Sequence, residues 1–310
     1  MTAVEQAARP AAPARRRPDR RWPTGGRSAT SYGFIALYAA LTVAFGILPA
    51  LYALYLAFTD ADGGFAGLAN FGKVVGDFRF GPAVGHVAYF LVIWLIALIV
   101  LVTVLAIAVH AIRLRWLGSS LRLIFYLPGA LAGASSVLLW LFLLDPTASP
   151  VGGLLRLLGL SSFVQVIVPA HLPPIFAIIA FWTGAGGWIV IMYGALNNIS
   201  AEVIEAARID GAGPLQIAWR IQLPMLRKWI SYLGIMSLAA GTQLFVEPQL
   251  LSQASNAVVP NDYSLNQLAY QYAFQQNDFN GAAAISLLLL VIALALSAVF
   301  VLRGGLFETD

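Results

Sequence analysis

Six apolar runs, each more than twenty residues long, divide this 310-residue sequence, and no other feature narrows its possible folds as far. A helix rises 1.5 Å per residue, so about 20 mostly apolar residues cross a hydrocarbon core of about 30 Å. In that solvent every backbone N–H and C=O needs an internal partner, and segments of this length find one as helices. The runs are Tyr32–Thr59, Val84–His110, Leu121–Leu144, Pro174–Leu196, Trp229–Ser252 and Gly281–Leu302. Hydrophobic residues make up 60% of the chain and charged residues 10%, whereas soluble domains are about 45–50% apolar. The expectation is an all-α polytopic membrane protein with six transmembrane helices.

Residues 1–31 hold seven arginines among Ala and Pro, without apolar periodicity. They predict a disordered basic tail. A basic start before an apolar run can be a signal peptide, but Tyr32–Thr59 is about twice the usual core of 7–15 residues. It reads as the first span, with Pro49 tolerated or kinking it. The six-helix domain is thus 32–302, followed by a short tail, 303–310. Lys and Arg are retained on the cytoplasmic side. Fifteen of them lie in the tail, the 111–122 connection, the 198–228 connection and the C-terminus, against Lys73, Arg79 and Arg156 on the other side. Both termini are expected in the cytoplasm.

A net charge of +4 does not point to nucleic acid, because the basic residues are parcelled among loops rather than gathered beside stacking groups. The chain has no cysteine, which excludes disulfides and thiolate metal sites and leaves the compartment open.

The most informative connection is the polar island between the fourth and fifth runs, with Glu202, Glu205, Arg208, Asp210, Arg220, Arg227 and Lys228. Ser200 can cap a helix whose positive end faces Glu202 and Glu205, and Asp210-Gly211 can stop it in a left-handed turn. Pro214 opens a second short helix with Leu215, Ala218 and Trp219 on one face. Helix, sharp turn, helix is the predicted form.

Glu205-Ala206-Ala207, Asp210-Gly211-Ala212 and Ile221-Gln222-Leu223-Pro224 are similar to the EAA loop of bacterial ABC importer permeases. The resemblance runs from about Tyr32 to Leu302. Leu196-Asn197-Asn198-Ile199-Ser200 and Phe245-Val246-Glu247-Pro248 look like the carbohydrate-uptake branch, the maltose and glycerol-phosphate type. The resemblance implies a type I ABC importer permease bundle, with 198–224 as the coupling loop and Glu205, Ala206, Ala207, Asp210, Gly211, Ala212, Leu223 and Pro224 at the ATPase. It implies further a second permease, usually a distinct homologue, a cytoplasmic ATPase dimer that binds ATP and Mg, an extracytoplasmic solute-binding protein, a carbohydrate substrate, and residence in the bacterial plasma membrane. Gly67-Leu68-Ala69-Asn70-Phe71 resembles a pre-helical segment of carbohydrate permeases. The sequence departs from the family at Ser252-Gln253-Ala254-Ser255, where Thr-Gly-Gly-Pro is frequent.

The chain carries few motifs of chemistry. Nothing matches Gly-x-x-x-x-Gly-Lys-Ser/Thr or Gly-x-Ser-x-Gly, so neither a phosphate cradle nor a nucleophile elbow is written in the sequence. Gly184, Gly186 and Gly187 sit in an apolar run and suggest close helix packing. His86, His110 and His171 lack ligand spacing, and Ser135 and Ser136 read as small packing residues. The chain is expected to bind no metal or cofactor and to catalyse nothing.

Three residues are candidates for a substrate pathway. Glu247 is the acid that falls inside a run, about 27 Å along the helix from Trp229 and so near the outer interface. Desolvation there is below the roughly 2.5–3.5 kcal/mol of a central acid, and both a gating role and an interfacial role fit. Gln243 lies one turn earlier on the same expected face, beside Thr242. Trp182 can stack on a sugar ring or anchor the interface, as can Trp188 and Tyr193. The outer connection 145–173 carries Leu154, Leu155, Leu157 and Leu158 about Arg156, which suggests a short amphipathic helix. The rival readings are a permease for another small solute, an ion-coupled transporter, which would want midplane acids, and a membrane enzyme, which would want a catalytic pair.

Overall fold

The computed structural model describes residues 24–304 apart from 113, 132 and 256–257, and the side chains of 24–31, 300 and 303–304 are outside it as well. The expected tail up to residue 23 therefore lies outside the described residues, while helix already begins at Thr24 rather than Tyr32. The chain divides into two compact units, one ending at Leu51 and the other running from Tyr52.

The first unit holds α1 (Thr24–Thr42), a π-helical turn at Val43–Ile47 and the start of α2 (Leu48–Ala57). The π turn has a local cause. Pro49 brings no N–H and its ring crowds the carbonyl four residues back, so the helix widens just before it and Leu48 N–H reaches Val43 O instead.

In the second unit α3 (Ala69–Val75), α4 (Phe80–His110), α5 (Arg115–Tyr126), α6 (Gly133–Leu143), α7 (Gly152–Leu157), α8 (Phe163–Val166) and α9 (Leu172–Asn197) follow in order. Then come α10 (Ala201–Ile209), α11 (Pro214–Ile217), α12 (Leu223–Met225), α13 (Arg227–Gly241), α14 (Val246–Ala254), α15 (Leu265–Tyr270) and α16 (Phe279–Gly304).

Among the described residues four helices are long and apolar enough to cross a membrane: Tyr32–Ala57, Phe80–His110, Pro169–Asn197 and Phe279–Val299. Two bent pairs, Arg115–Ala130 with Gly133–Leu143 and Arg227–Gly241 with Val246–Ala254, bring the number to six. The bends correct two expectations. The third run starts earlier, at Arg115, and its halves lie 101° apart. Leu127–Ala130 is a 3₁₀ turn containing Pro128 and Gly129, two residues that weaken an α-helix from inside. The fifth run bends by 42° between Gly241 and Val246. Thr242 O, freed at the first half's end, accepts from Asn266 Nδ2 at 3.1 Å, while Thr242 Oγ1 donates to Ala239 O at 2.8 Å.

The main core lies where α4 packs along α9. Val87, Leu91, Trp94, Leu98 and Val102 recur at three- and four-residue steps and are all buried, so they form one stripe of α4. Phe176, Ile179, Ile189 and Met192 of α9 and Leu233 and Leu238 of α13 belong to the same cluster. Lipid is as apolar as these side chains, so tight packing rather than exclusion of water holds such helices together. Small residues allow it. A Cβ on Gly186 would run into the Phe125 carbonyl and Tyr126 Cα, and one on Gly241 would meet Trp94 and Leu91. Gly184 and Gly187 have nothing within 4 Å, so of the expected packing glycines Gly186 is the one in close contact.

A second core joins Val74, Ala83, Leu265, Leu268, Tyr272, Ala284 and Ile285. Polar ties surround it. Asn70 Nδ2 donates to Ala57 O and Thr59 O at 3.0 and 2.8 Å, and Asn280 Nδ2 to Leu56 O and Thr59 O at 3.0 and 2.8 Å. Two amides thus add side-chain donors to the carbonyls at and just beyond the end of α2. Arg79 bonds Asp77 at 2.6 Å and Gln271 Oε1 at 2.9 Å, Tyr272 Oη donates to Asp77 at 2.7 Å, and Lys73 pairs with Asp278 at 2.7 Å. The hydrogen bonds from Arg79 hold the Asp77 carboxyl well below the usual carboxylate range. Burial, with the bond to Asp77, pushes the Tyr272 phenol up to about 12.

Candidate functional site

The polar island folds as helix, turn, helix. Ser200 Oγ accepts from Glu202 N–H at 3.2 Å, which caps α10, and Glu202 lies in its first turn. Gly211 has φ +84°. Ala212 N–H bonds Ala207 O at 2.9 Å and Gly211 N–H bonds Arg208 O at 3.1 Å, a pair of bonds that closes the helix through a left-handed glycine. Gly213 N–H then donates to Gln216 Oε1 at 2.9 Å, and Pro214 starts α11. Leu215, Ala218 and Trp219 do share a face, since all three line one cavity.

Two properties set this hairpin apart. No residue of α10 is buried, and Ile209 at its tip is 86% exposed. The second limb is rooted instead. Ile217, Gln222 and Leu226 are buried, and Gln222 Nε2 lies 3.5 Å from His110 Nδ1 at the end of α4. Tyr193 of α9 meets His110 edge-on at 5.6 Å and carries the Arg122 guanidinium 4.0 Å above its ring. α10 thus buries none of its residues, while the second limb meets the end of α4 through Gln222 and His110, whose ring also touches Tyr193 of α9.

Ile221-Gln222-Leu223-Pro224 shows how that keying arises. Ala218–Gln222 is a π turn, with Leu223 N–H bonded to Ala218 O, directly before Pro224. Proline forces the wide turn here as it does at Pro49. The turn also carries Gln222, which was not among the residues singled out from the sequence. Its place in the quoted motif was the signal that could have found it.

The pathway candidates are dispersed. Gln243 sits in the break between α13 and α14 and lines an open groove of about 830 Å³ with Thr242, Asn266, Tyr270, Phe274 and Ser286. Glu247 is in the first turn of α14, beyond the break, and is not among the groove's lining residues. The interruption overturns the expectation that Gln243 and Glu247 share one helix face. Trp182 meets Trp140 edge-on, with ring centres 5.9 Å apart. The histidines are likewise separate: His86 stacks on Tyr263 at 4.2 Å, and His171 Nδ1 lies 3.1 Å from Val166 O.

The family model described as "Binding-protein-dependent transport system inner membrane component" matches residues 71–304, which include the hairpin, the broken fifth span and α16. The chain belongs to this family. The multiple sugar-binding transport system permease protein MsmF of Streptococcus mutans is similar to this permease, at 29% identity over 283 residues that cover 89% of the chain and 95% of that protein. The diacetylchitobiose uptake system permease protein NgcF of Streptomyces coelicolor is 30% identical over 98% of the chain and 90% of its own length. A crystal structure of a bacterial ABC transporter that imports the acidic polysaccharide alginate contains a chain with a TM-score of 0.79 at 20% identity, over 91% of this permease and 97% of that chain. That last likeness is one of fold: the bent spans and the projecting hairpin belong to an ABC importer permease bundle.

Proposed function

We propose that this permease forms half of the translocation pathway of an ATP-driven carbohydrate importer and takes its energy through the hairpin 198–224. The observation that carries the reading is the contrast between the two limbs: no residue of α10 is buried, whereas the second limb buries Ile217, Gln222 and Leu226. A rigid lever with one free arm and one seated arm transmits a push. An ATPase dimer that closes on ATP would move α10, and the tight turn at Gly211 would pass that movement to the second limb and to α4. Glu205, Ala206, Ala207, Asp210, Gly211 and Ala212 would meet the ATPase, with Leu223 and Pro224 in the seated limb. ATP and Mg then belong to the partner, and the chain supplies differential contacts rather than catalysis.

One chain brings one hairpin, so a second permease completes the pathway. The family's name supports delivery by a solute-binding protein, and the sugar-transport names of both relatives support a carbohydrate. The groove at the fifth span's break adds physical support. Gln243 and Asn266 offer amides, while Tyr270 and Phe274 offer ring faces, the groups that bind hydroxyls and the apolar faces of sugars. Glu247 and Trp182 would act at the pathway's edge. The charge asymmetry of the loops supports cytoplasmic termini.

The test is co-purification and reconstitution. The chain should bring down a cytoplasmic ATPase, and the purified chain alone should hydrolyse no ATP. In proteoliposomes of the full complex, sugar uptake should need both ATP and the binding protein. Robust ATPase activity of the homogeneous chain, or uptake driven by an ion gradient without ATP, overturns the reading.

A further inference from the structure

Alongside the hairpin's second limb the packing against α4 is incomplete. An apolar cavity of about 400 Å³ opens there, with Val100, Val104 and Ile107 of α4 on one wall and Leu215, Trp219 and Leu223 on the other. Its size falls within the range of ligand pockets, about 300–1,000 Å³. Val104 and Ile107 lie in the last turns before α4 ends at His110, so the groove is at the polar end of a span. Trp219, 65% exposed, is the amphipathic residue typical of that depth. α4 is a span and the second limb runs on into α13, so the groove stands where the hairpin meets the bilayer, within reach of a lipid.

Charge decides which lipid. Leu226 N–H bonds Gln222 O at 3.0 Å and Ile230 N–H bonds Leu226 O at 2.8 Å, so helical register continues through the junction of α12 and α13. Leu223, Arg227 and Ile230 therefore follow at i, i+4 and i+7 on one face. Leu223 and Ile230 line the groove, and the exposed Arg227 stands between them in register. From Pro214 to Ile230 the sequence holds Arg220, Arg227 and Lys228 and no acid. Among the described residues neither Arg220 nor Arg227 forms an ion pair. We propose that this groove holds one acyl chain of an anionic phospholipid whose phosphate is met by Arg227, which fastens the seated limb of the hairpin to the bilayer. A basic pocket beside membrane helices selects an anionic headgroup, and the apolar walls take the chain.

Brominated acyl chains quench indole fluorescence on contact, which makes Trp219 a built-in probe. The chain is reconstituted in vesicles containing brominated phosphatidylglycerol or, at the same mole fraction, brominated phosphatidylcholine, and the signal lost in Trp219→Phe isolates that residue. Phosphatidylglycerol should quench Trp219 about fivefold more effectively than phosphatidylcholine, the ratio expected of one arginine near a lipid surface. Arg227→Gln should abolish the preference while both lipids still quench. Val104→Phe, which fills the groove from an exposed position, should reduce quenching by both. Equal quenching by the two lipids in the wild-type chain overturns the proposal, as does quenching that Val104→Phe leaves unchanged, which would mean that protein covers the groove. Should Trp219→Phe fail to insert, total fluorescence of the wild-type chain and of Arg227→Gln still yields the headgroup ratio.

Discussion

Gly211 makes a conformational demand that no neighbouring side chain imposes. Nothing lies within 4 Å of where its Cβ would be, so any penalty for a substitution comes from φ +84° alone. A side chain there costs roughly 1–2 kcal/mol, and β-branching adds to it. Gly211→Val should therefore insert normally and lose transport together with substrate-stimulated ATP hydrolysis, whereas Gly211→Asn, which tolerates the left-handed region, should keep most of both. Vesicle uptake assays of the two variants check this. At the other end of the molecule Arg79→Gln tests a different balance. Asp77 is a carboxylate held ionised by Arg79, so in the wild type its contribution is present above the ordinary carboxylate value, about 3.9, and is lost only as pH falls through the lowered folded value. Without the guanidinium the largest cause of that lowering is gone, and the backbone N–H at position 79 and Tyr272 Oη are left to hold the carboxylate against the cost of burial. The variant should be about 2 kcal/mol less stable at pH 7, with the gap persisting to about pH 4 and closing only as pH falls below it. Thermal melts of detergent-solubilised protein at pH 7 and at a pH below about 4 measure it.

At the scale of helices, the seam between α5 and α9 rests on Gly186. Gly186→Val should push the Phe125–Tyr126 backbone away and destabilise the chain by about 1–3 kcal/mol, while Gly184→Ala, facing open space, should be close to neutral. Paired melting curves separate the two. The same helices show what the sequence could and could not disclose. Run length identified all six apolar segments, because crossing a hydrocarbon core requires a minimum number of residues. The cap at Ser200, the stop at Gly211 and the start at Pro214 were legible because each acts within its own turn. The bend in the fifth span was not. Hydropathy is blind to a break whose freed carbonyls are satisfied from a distance, as Asn266 does for Thr242 across 24 residues. Pro128-Gly129 did announce the first bend in local chemistry, whereas Thr242-Gln243-Leu244-Phe245 contains no breaker. For the same reason the face shared by Gln243 and Glu247 was misjudged: periodicity assumes an unbroken helix.

For the molecule as a whole, the positive-residue asymmetry supports the proposed placement of both ends on the cytoplasmic side. A reporter fused after Asp310 should be accessible only from the cytoplasm, and its appearance outside would remove α10 from the reach of any cytoplasmic ATPase. Glu247→Gln should leave assembly with the partner subunits intact and alter uptake kinetics; kinetics unchanged across substrate concentrations would leave it an interfacial acid. The π turn at Ala218–Gln222 bears on the assembly in another way. One surplus residue in a helix advances everything before it by about 100° around the axis relative to everything after it. The hairpin's compass bearing is therefore set by a count of residues as much as by any contact. Shortening Ala218–Gln222 by a single residue would leave hydropathy, caps and charges almost untouched, yet aim α10 at a different quarter of the horizon, away from a subunit whose own docking cleft stays where it was.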